Sequence, residues 1–398
     1  MNLNIIKSDL IFTRYLYIKD EVRLALLVSI LCKSDDAIFW AYELYYSGFK
    51  HEFFTLIWKI YYDFFATLNP TFETYLLKKH KEWIQTNGEN DPTQDILISS
   101  IIQSLLFRPF NSDVFLLRNI CESFEIEINY NNDTEIITDM RPHLEKWIEE
   151  NDYRSIAQWI LNGNHKTINM EDIYIICLNI FEEKGVKLTK IKLAKEFVSV
   201  LKNVNILNMN GNLILLSKIM CLFSKKAEIK KGRSIYIHVE PQDIIPYETI
   251  YKTDQLKHYK ILEKAYMCGI DDLKHLSLFQ LKRHKYNIQE RYWYKWEYHA
   301  SFSPIWCQRI LQFGGFPDYT NETIVFQEDP DDESMQQFYD RYGLEPDEQK
   351  KEVQEKSIMN IEKVHDWKWF NKQYKKNGLF EVYEEELEEF DISGLSAY

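Results

Sequence analysis

The chain has 398 residues, 45% of them hydrophobic and 15% aromatic, with a formal net charge of −13. That much apolar material excludes global disorder and suits two or three domains, or one extended array of small units. Only 12 glycines and 10 prolines interrupt it, which points to long helices joined by short loops rather than many short strands.

In chain order, the first two thirds read as consecutive helices. "DEVRLALLVSILCKS" opens at Asp20 with acidic residues in its first turn, where the helix dipole favours them. "SDDAIFWAYELYYSG" is capped by Ser34 or Asp35 and closed by Gly48. "HEFFTLIWKIYYDFFATLNP" stops at Asn69 and Pro70, "FETYLLKKHKEWIQTNG" at Asn87 and Gly88, and "DPTQDILISSIIQSLLF" starts with Asp91 as cap and Pro92 at the first helical position. Apolar residues at three- and four-residue spacing predict further helices over 112–124, 139–150, 152–162, 170–184, 189–202 and 212–226. The expected fold class is therefore mainly α, with stacked antiparallel helical hairpins in either an α-solenoid (HEAT-like) or an irregular bundle.

The texture changes after 232. "RSIYIHVEP" alternates like a strand and "DIIPYETI" is its expected partner, giving a small β-hairpin near 233–250. Helices resume over 254–268, 271–283 and 288–300. From Gln327 a charged loop leads to an acidic, partly mobile C-terminal region ending "EVYEEELEEFDISGLSAY". The expected division is a helical-hairpin domain at 1–232, an aromatic-rich, mainly helical domain at 233–326, and the acidic region at 327–398.

Within "RYWYKWEYHASFSPIW" (291–306) two periods compete. With period two, Tyr292, Tyr294, Trp296, Tyr298, Ala300 and Phe302 share a face, as in a half-buried strand. As a helix, Asn287 and Glu290 form a capping-box-like pair, and Ser303 with Pro304 ends it and starts "PIWCQRILQF", which Gly314 and Gly315 terminate. The start and stop signals favour the helix. A helix aromatic on every side is normally buried on every side, so the expectation is a packing element. Trp293, Trp296 and Trp306 are the candidates for stacking on nucleic-acid bases, Trp293 first.

Charge is distributed unevenly. Between Lys184 and Arg233 twelve basic residues meet only Glu196 and Glu228, so this fifty-residue run carries +10 and the rest of the chain −23. From Asp331 to the end, eighteen acidic residues meet nine basic ones. A local positive potential collects phosphates even on an acidic protein. Lys187, Lys190, Lys195, Lys225, Lys226, Lys230, Lys231 and Arg233 are thus the candidate nucleic-acid contacts, against the alternative of a solvated face paired with the acidic tail. Lysine outnumbers arginine there, so the contact would be phosphate-led rather than base-specific.

Catalytic patterns are missing. Phosphate-binding, dinucleotide, zinc-protease and nucleophile-elbow motifs do not occur. Pro330 and Asp331 with Glu348 and Lys350 resemble restriction-nuclease elements, but the polar stretch between them does not read as core strands. His365 and Asp366 sit beside Trp367 and Trp369, which suits packing more than proton transfer. The six cysteines form no CxxC and no zinc-ligand spacing, so free thiols and no metal or cofactor are expected. No apolar stretch approaches the roughly eighteen residues of a membrane span and no signal peptide opens the chain, so a cytoplasmic location is expected.

"SDDAIFWAYELYYSGF" and "YHASFSPIWCQRILQFGGFPDY" resemble segments of a helical protein family encoded by giant, mimivirus-like nucleocytoplasmic large DNA viruses. The resemblance implies action in the infected-cell cytoplasm, the viral factory or the virion, and transfers no catalytic residue. The resulting expectation is a non-enzymatic scaffold or adaptor with protein partners, in viral gene expression or particle assembly. A HEAT-like translation-initiation scaffold is one form, although "YDRYGLE" at Tyr339 places Glu345 where a cap-binding-protein docking motif needs an apolar residue. The alternatives are an RNA- or DNA-binding protein using the 184–233 run, and a minor virion structural protein.

Overall fold

The computed structural model describes residues 10–85, 92–123, 136–161, 169–186, 211–224, 236–247, 288–327, 333–342 and 378–380. It is mainly α. The helices are α1 Lys19–Cys32, α2 Asp36–Tyr46, α3 Lys50–Ile60, α4 Phe72–Gln85, α5 Pro92–Leu106, α6 Asp113–Ser123, α7 Ile136–Glu150, α8 Tyr153–Leu161, α9 Met170–Glu183 and α10 Gly211–Phe223, then α11 Ile288–Ala300, α12 Pro304–Gln312 and α13 Glu333–Tyr342. The expected helices at 189–202, 254–268 and 271–283 lie outside the described residues.

Of the two helical forms the sequence allowed, the packing is that of an irregular bundle. A solenoid repeat touches only its neighbours. Here α10, apolar over most of its circumference, packs against α6, α8 and α9, and α2 packs on α5. Among the described residues, three buried ion pairs fasten the bundle: Arg14 to Glu43 at 2.8 Å, Arg118 to Asp63 at 2.9 Å and Lys218 to Glu73 at 2.8 Å. Asp63 reaches Arg118 from a single π-helical turn, Tyr61–Phe65, that follows α3.

A second core forms where α11, α12 and α13 meet the N-terminal segment. Leu10, Phe12 and Leu16 pack with Trp296, Ala300, Trp306, Ile310, Phe338 and Tyr342. One core therefore draws side chains from all three of the expected segments. Phe338 and Tyr342, spaced i and i+4, anchor α13 in what the sequence reads as the start of an acidic loop and tail. Further along, Asp113 accepts backbone N–H groups from Leu379 and Phe380 at 2.9 and 3.2 Å, and Phe380 is buried.

The β-hairpin is displaced from its expected place. β1 Gly315–Asp318 pairs antiparallel with β2 Thr323–Phe326, Phe316 opposite Val325. Near 233–250, described residues 236–240 belong to no helix or strand, and two single-turn 3-10 helices follow, Pro241–Asp243 and Ile245–Tyr247. Alternation at 236–240 arises because one side lies on the helices, with Val239 buried and the amide of Ile237 donating to Ser104 Oγ at 3.2 Å.

The two cores meet at the turn after α2. Gly48 has φ +95°, and a Cβ there would sit 2.5 Å from Cβ of Pro304, the first residue of α12. Gly48→Ala should cost about 2 kcal/mol or more, from left-handed strain plus displacement of α12. A lowered denaturant midpoint at unchanged slope checks this.

Two histidines sit inside these cores as neutral bases. His80 lies stacked on Phe54 at 4.3 Å and accepts from Trp58 Nε1 at 3.0 Å. His299 packs edge-on against Phe12. Burial pulls both down to about 4, helped by His51 at His80 and by Arg291 at His299. The unfolded chain protonates near 6.5, so the stabilisation is full above that pH and is lost as pH falls from 6.5 towards 4. About 2 kcal/mol each should disappear over that window after solvent screening. Unfolding midpoints from pH 7 to 4 measure the loss, and His80→Phe should flatten part of it.

Candidate nucleic-acid interface

The expected basic contacts Lys187, Lys190, Lys195, Lys225, Lys226, Lys230, Lys231 and Arg233 lie outside the described residues. Two other members of the same run are described, and both charges are spent internally. Lys218 is buried against Glu73, and Lys184 pairs with Glu149 at 2.9 Å and the Glu145 carbonyl at 3.2 Å.

Two of the three stacking candidates are overturned by burial. Trp296 is 1% exposed and Trp306 0%, packed edge to face at 5.3 Å. Neither ring is offered to a base. The side chain of Trp293 lies outside the described residues. The stretch is helical, but Lys295 (φ −141°, ψ 20°) breaks it into two pieces. Tyr294 is exposed while Trp296 is buried, which rules out the shared strand face. Tyr339, the tyrosine of the cap-binding comparison, donates its hydroxyl to Glu297 at 2.7 Å.

A different aromatic group reaches the surface. Phe72 and Tyr75, one turn apart on α4, stack at 5.3 Å. Tyr236, ahead of the two 3-10 helices, lies over Tyr75 at 4.4 Å with 30° between the planes, and the residue is 46% exposed. Behind them, just past the end of α5, the Arg108 guanidinium sits 4.0 Å from the Phe72 centroid and 5.2 Å from that of Tyr236. Lys79 approaches Tyr75, 5.8 Å from its ring centroid. The result is a ladder running from core to surface, with cations beside its rings.

Arg108 is 1% exposed, yet only Nη1 is bonded, donating to the Ser104 carbonyl. Nε and Nη2 are buried without a hydrogen-bond partner. Burial pulls its guanidinium below the ordinary arginine value, and only the phenols Tyr236, Tyr61 and Tyr75 counter this. Burial likewise raises the Tyr75 hydroxyl. In the second 3-10 helix that follows Tyr236, Tyr247 stacks on Tyr42 at 5.3 Å and accepts from Arg14 Nη1 at 3.0 Å through its carbonyl.

Sequence reading missed this group because its members come from three distant segments. The usable signal was Tyr236 itself, three residues after Arg233 at the end of the basic run. Chemically such an arrangement is able to bind: stacked rings can accept a planar partner and cations an anion. The buried carboxylates Glu43, Asp63 and Glu73 are each occupied by a cation. Among the described residues no cluster of three or more His, Cys, Asp or Glu side chains could hold a metal ion, and no helix is long and apolar enough to cross a membrane. No family model, curated protein or solved structure matches the chain.

Proposed function

We propose that the protein is a non-enzymatic helical scaffold that binds RNA or DNA, by the phosphates and by stacking of a base on Tyr236. The observation that carries this reading is the half-exposed Tyr236 laid on Tyr75 with the Arg108 cation behind it. An aromatic platform beside positive charge is how sequence-tolerant single-strand binders work. The chain leads into that platform directly from Lys225, Lys226, Lys230, Lys231 and Arg233. The setting proposed is viral gene expression or particle assembly in the host cytoplasm.

Tyr236→Ser tests it. Fluorescence anisotropy with short labelled single strands of RNA and DNA should show affinity falling about 5- to 150-fold, since one stacked base contributes about 1–3 kcal/mol. Unchanged affinity would contradict the proposed platform.

Protein docking is favoured by a separate observation. The inner face of the hairpin packs Ile324 and Phe326 on the second core, while the cross-strand pair Phe316 and Val325 is exposed. Adjacent exposed apolar side chains on a rigid hairpin suit a protein partner.

A further inference from the structure

We infer that the Nε–Nη2 edge of Arg108 is a receptor for one phosphate-type oxyanion, with the Tyr236 ring as its cover. Only the source of that phosphate rests on the nucleic-acid reading.

Arginine offers one side-on pair of parallel donors, Nε–H and Nη2–H, matched to two oxygens of a single anion. The molecule itself shows that use. Arg118 gives Nε and Nη2 to the two oxygens of Asp63, at 3.1 and 2.9 Å. Arg14 gives Nε to Glu43 at 2.8 Å. Arg108 is as deeply buried, but the same edge meets no acceptor. A buried guanidinium without a counter-charge is costly, and an arriving oxyanion relieves that cost while filling both donors.

Access requires movement of one element. Nε and Nη2 are closed to solvent. Tyr236 lies over the guanidinium in a segment that belongs to no helix or sheet. That segment is tied to α5 by the Ile237 amide on Ser104 Oγ and to α4 by the ring contact with Tyr75. Of the two rings laid against the guanidinium, Phe72 is fully buried and Tyr236 is half-exposed, so Tyr236 is the one whose displacement would open a path to Arg108. Phosphate is favoured over carboxylate because the basic run precedes the cover in sequence and its positive charges attract a dianion more strongly than a monoanion.

Thermal unfolding in inorganic phosphate, against sodium chloride at equal ionic strength, tests the receptor in the wild type, Arg108→Met and Arg108→Lys. The general stabilisation by excluded phosphate is common to all three and cancels. The wild-type midpoint should rise about 2 °C more than that of either variant. Arg108→Lys keeps the charge without the two-donor edge, so it answers the question even if Arg108→Met folds poorly. Equal responses in all three proteins would overturn the receptor. A second arm measures a short single-stranded oligonucleotide. A roughly tenfold weaker affinity in the variants assigns the phosphate to a nucleic-acid backbone. A preserved phosphate response with unchanged oligonucleotide affinity keeps the receptor and assigns it to free phosphate, overturning the link to nucleic acid.

Discussion

Trp306→Ala should destabilise the protein by about 3–5 kcal/mol, the range for deleting a large buried aromatic. Trp306 is fully buried and joins the second core to the N-terminal segment through Nε1, which donates to the Thr13 carbonyl at 2.9 Å. Its ring also meets Trp296 at 5.3 Å and Tyr342 at 5.5 Å, and Arg309 lies 4.4 Å from its centroid. Truncation removes all of these at once and opens a cavity that rigid helix ends cannot close. Trp306→Phe keeps most of the volume and loses the hydrogen bond, so about 1–2 kcal/mol is expected. Denaturant unfolding followed by circular dichroism separates the two. Were Trp306→Ala to cost under about 1 kcal/mol, the ring would not be a core residue.

Glu43→Gln should cost about 3–5 kcal/mol, because it leaves Arg14 buried without its counter-charge. Glu43 lies on α2 and binds two parts of the N-terminal segment: Arg14 Nε at 2.8 Å and the Tyr15 amide at 3.0 Å. Arg14 in turn packs against the Tyr15 and Tyr46 rings and donates to Tyr247. The pair therefore fixes the N-terminal segment, α2 and the far end of the Tyr236 segment together. Replacing both partners, Arg14→Met with Glu43→Leu, should recover much of the loss, since the cost comes from an unpaired buried charge rather than from the missing attraction. A double variant as unstable as Glu43→Gln alone would contradict this.

The helices were legible where local signals agree. Ser303 with Pro304 starts α12, and Gly48 closes α2 in a left-handed conformation, each a short-range effect written in neighbouring residues. The hairpin at 315–326 was hidden by Pro317, which argues against a strand, and by a turn that Asp318 makes by accepting the Thr320 amide at 2.9 Å. The strand-like alternation of 236–240 reflects burial on one side only, and periodicity cannot distinguish a helix surface from a partner strand beneath it. Nothing local announces that Leu10 and Phe12 join residues almost three hundred positions away, and the Arg108 group was invisible for the same reason. In both cases the sequence lists the side chains and only tertiary contact selects among them. The aromatic run 291–306 is resolved as core at Trp296, Tyr298 and Trp306, with Tyr294 left outside.

The central functional claim is a phosphate-led contact with nucleic acid. Its most direct test is the affinity for a short single strand of RNA or DNA across a salt series. The wild type is compared with a variant carrying glutamate at Lys225, Lys226, Lys230, Lys231 and Arg233. The expected result is salt-sensitive binding in the wild type, log K falling linearly with log salt, with a shallower slope or no binding in the variant. No binding by the wild type at low salt, or equal slopes for the two proteins, would contradict the claim.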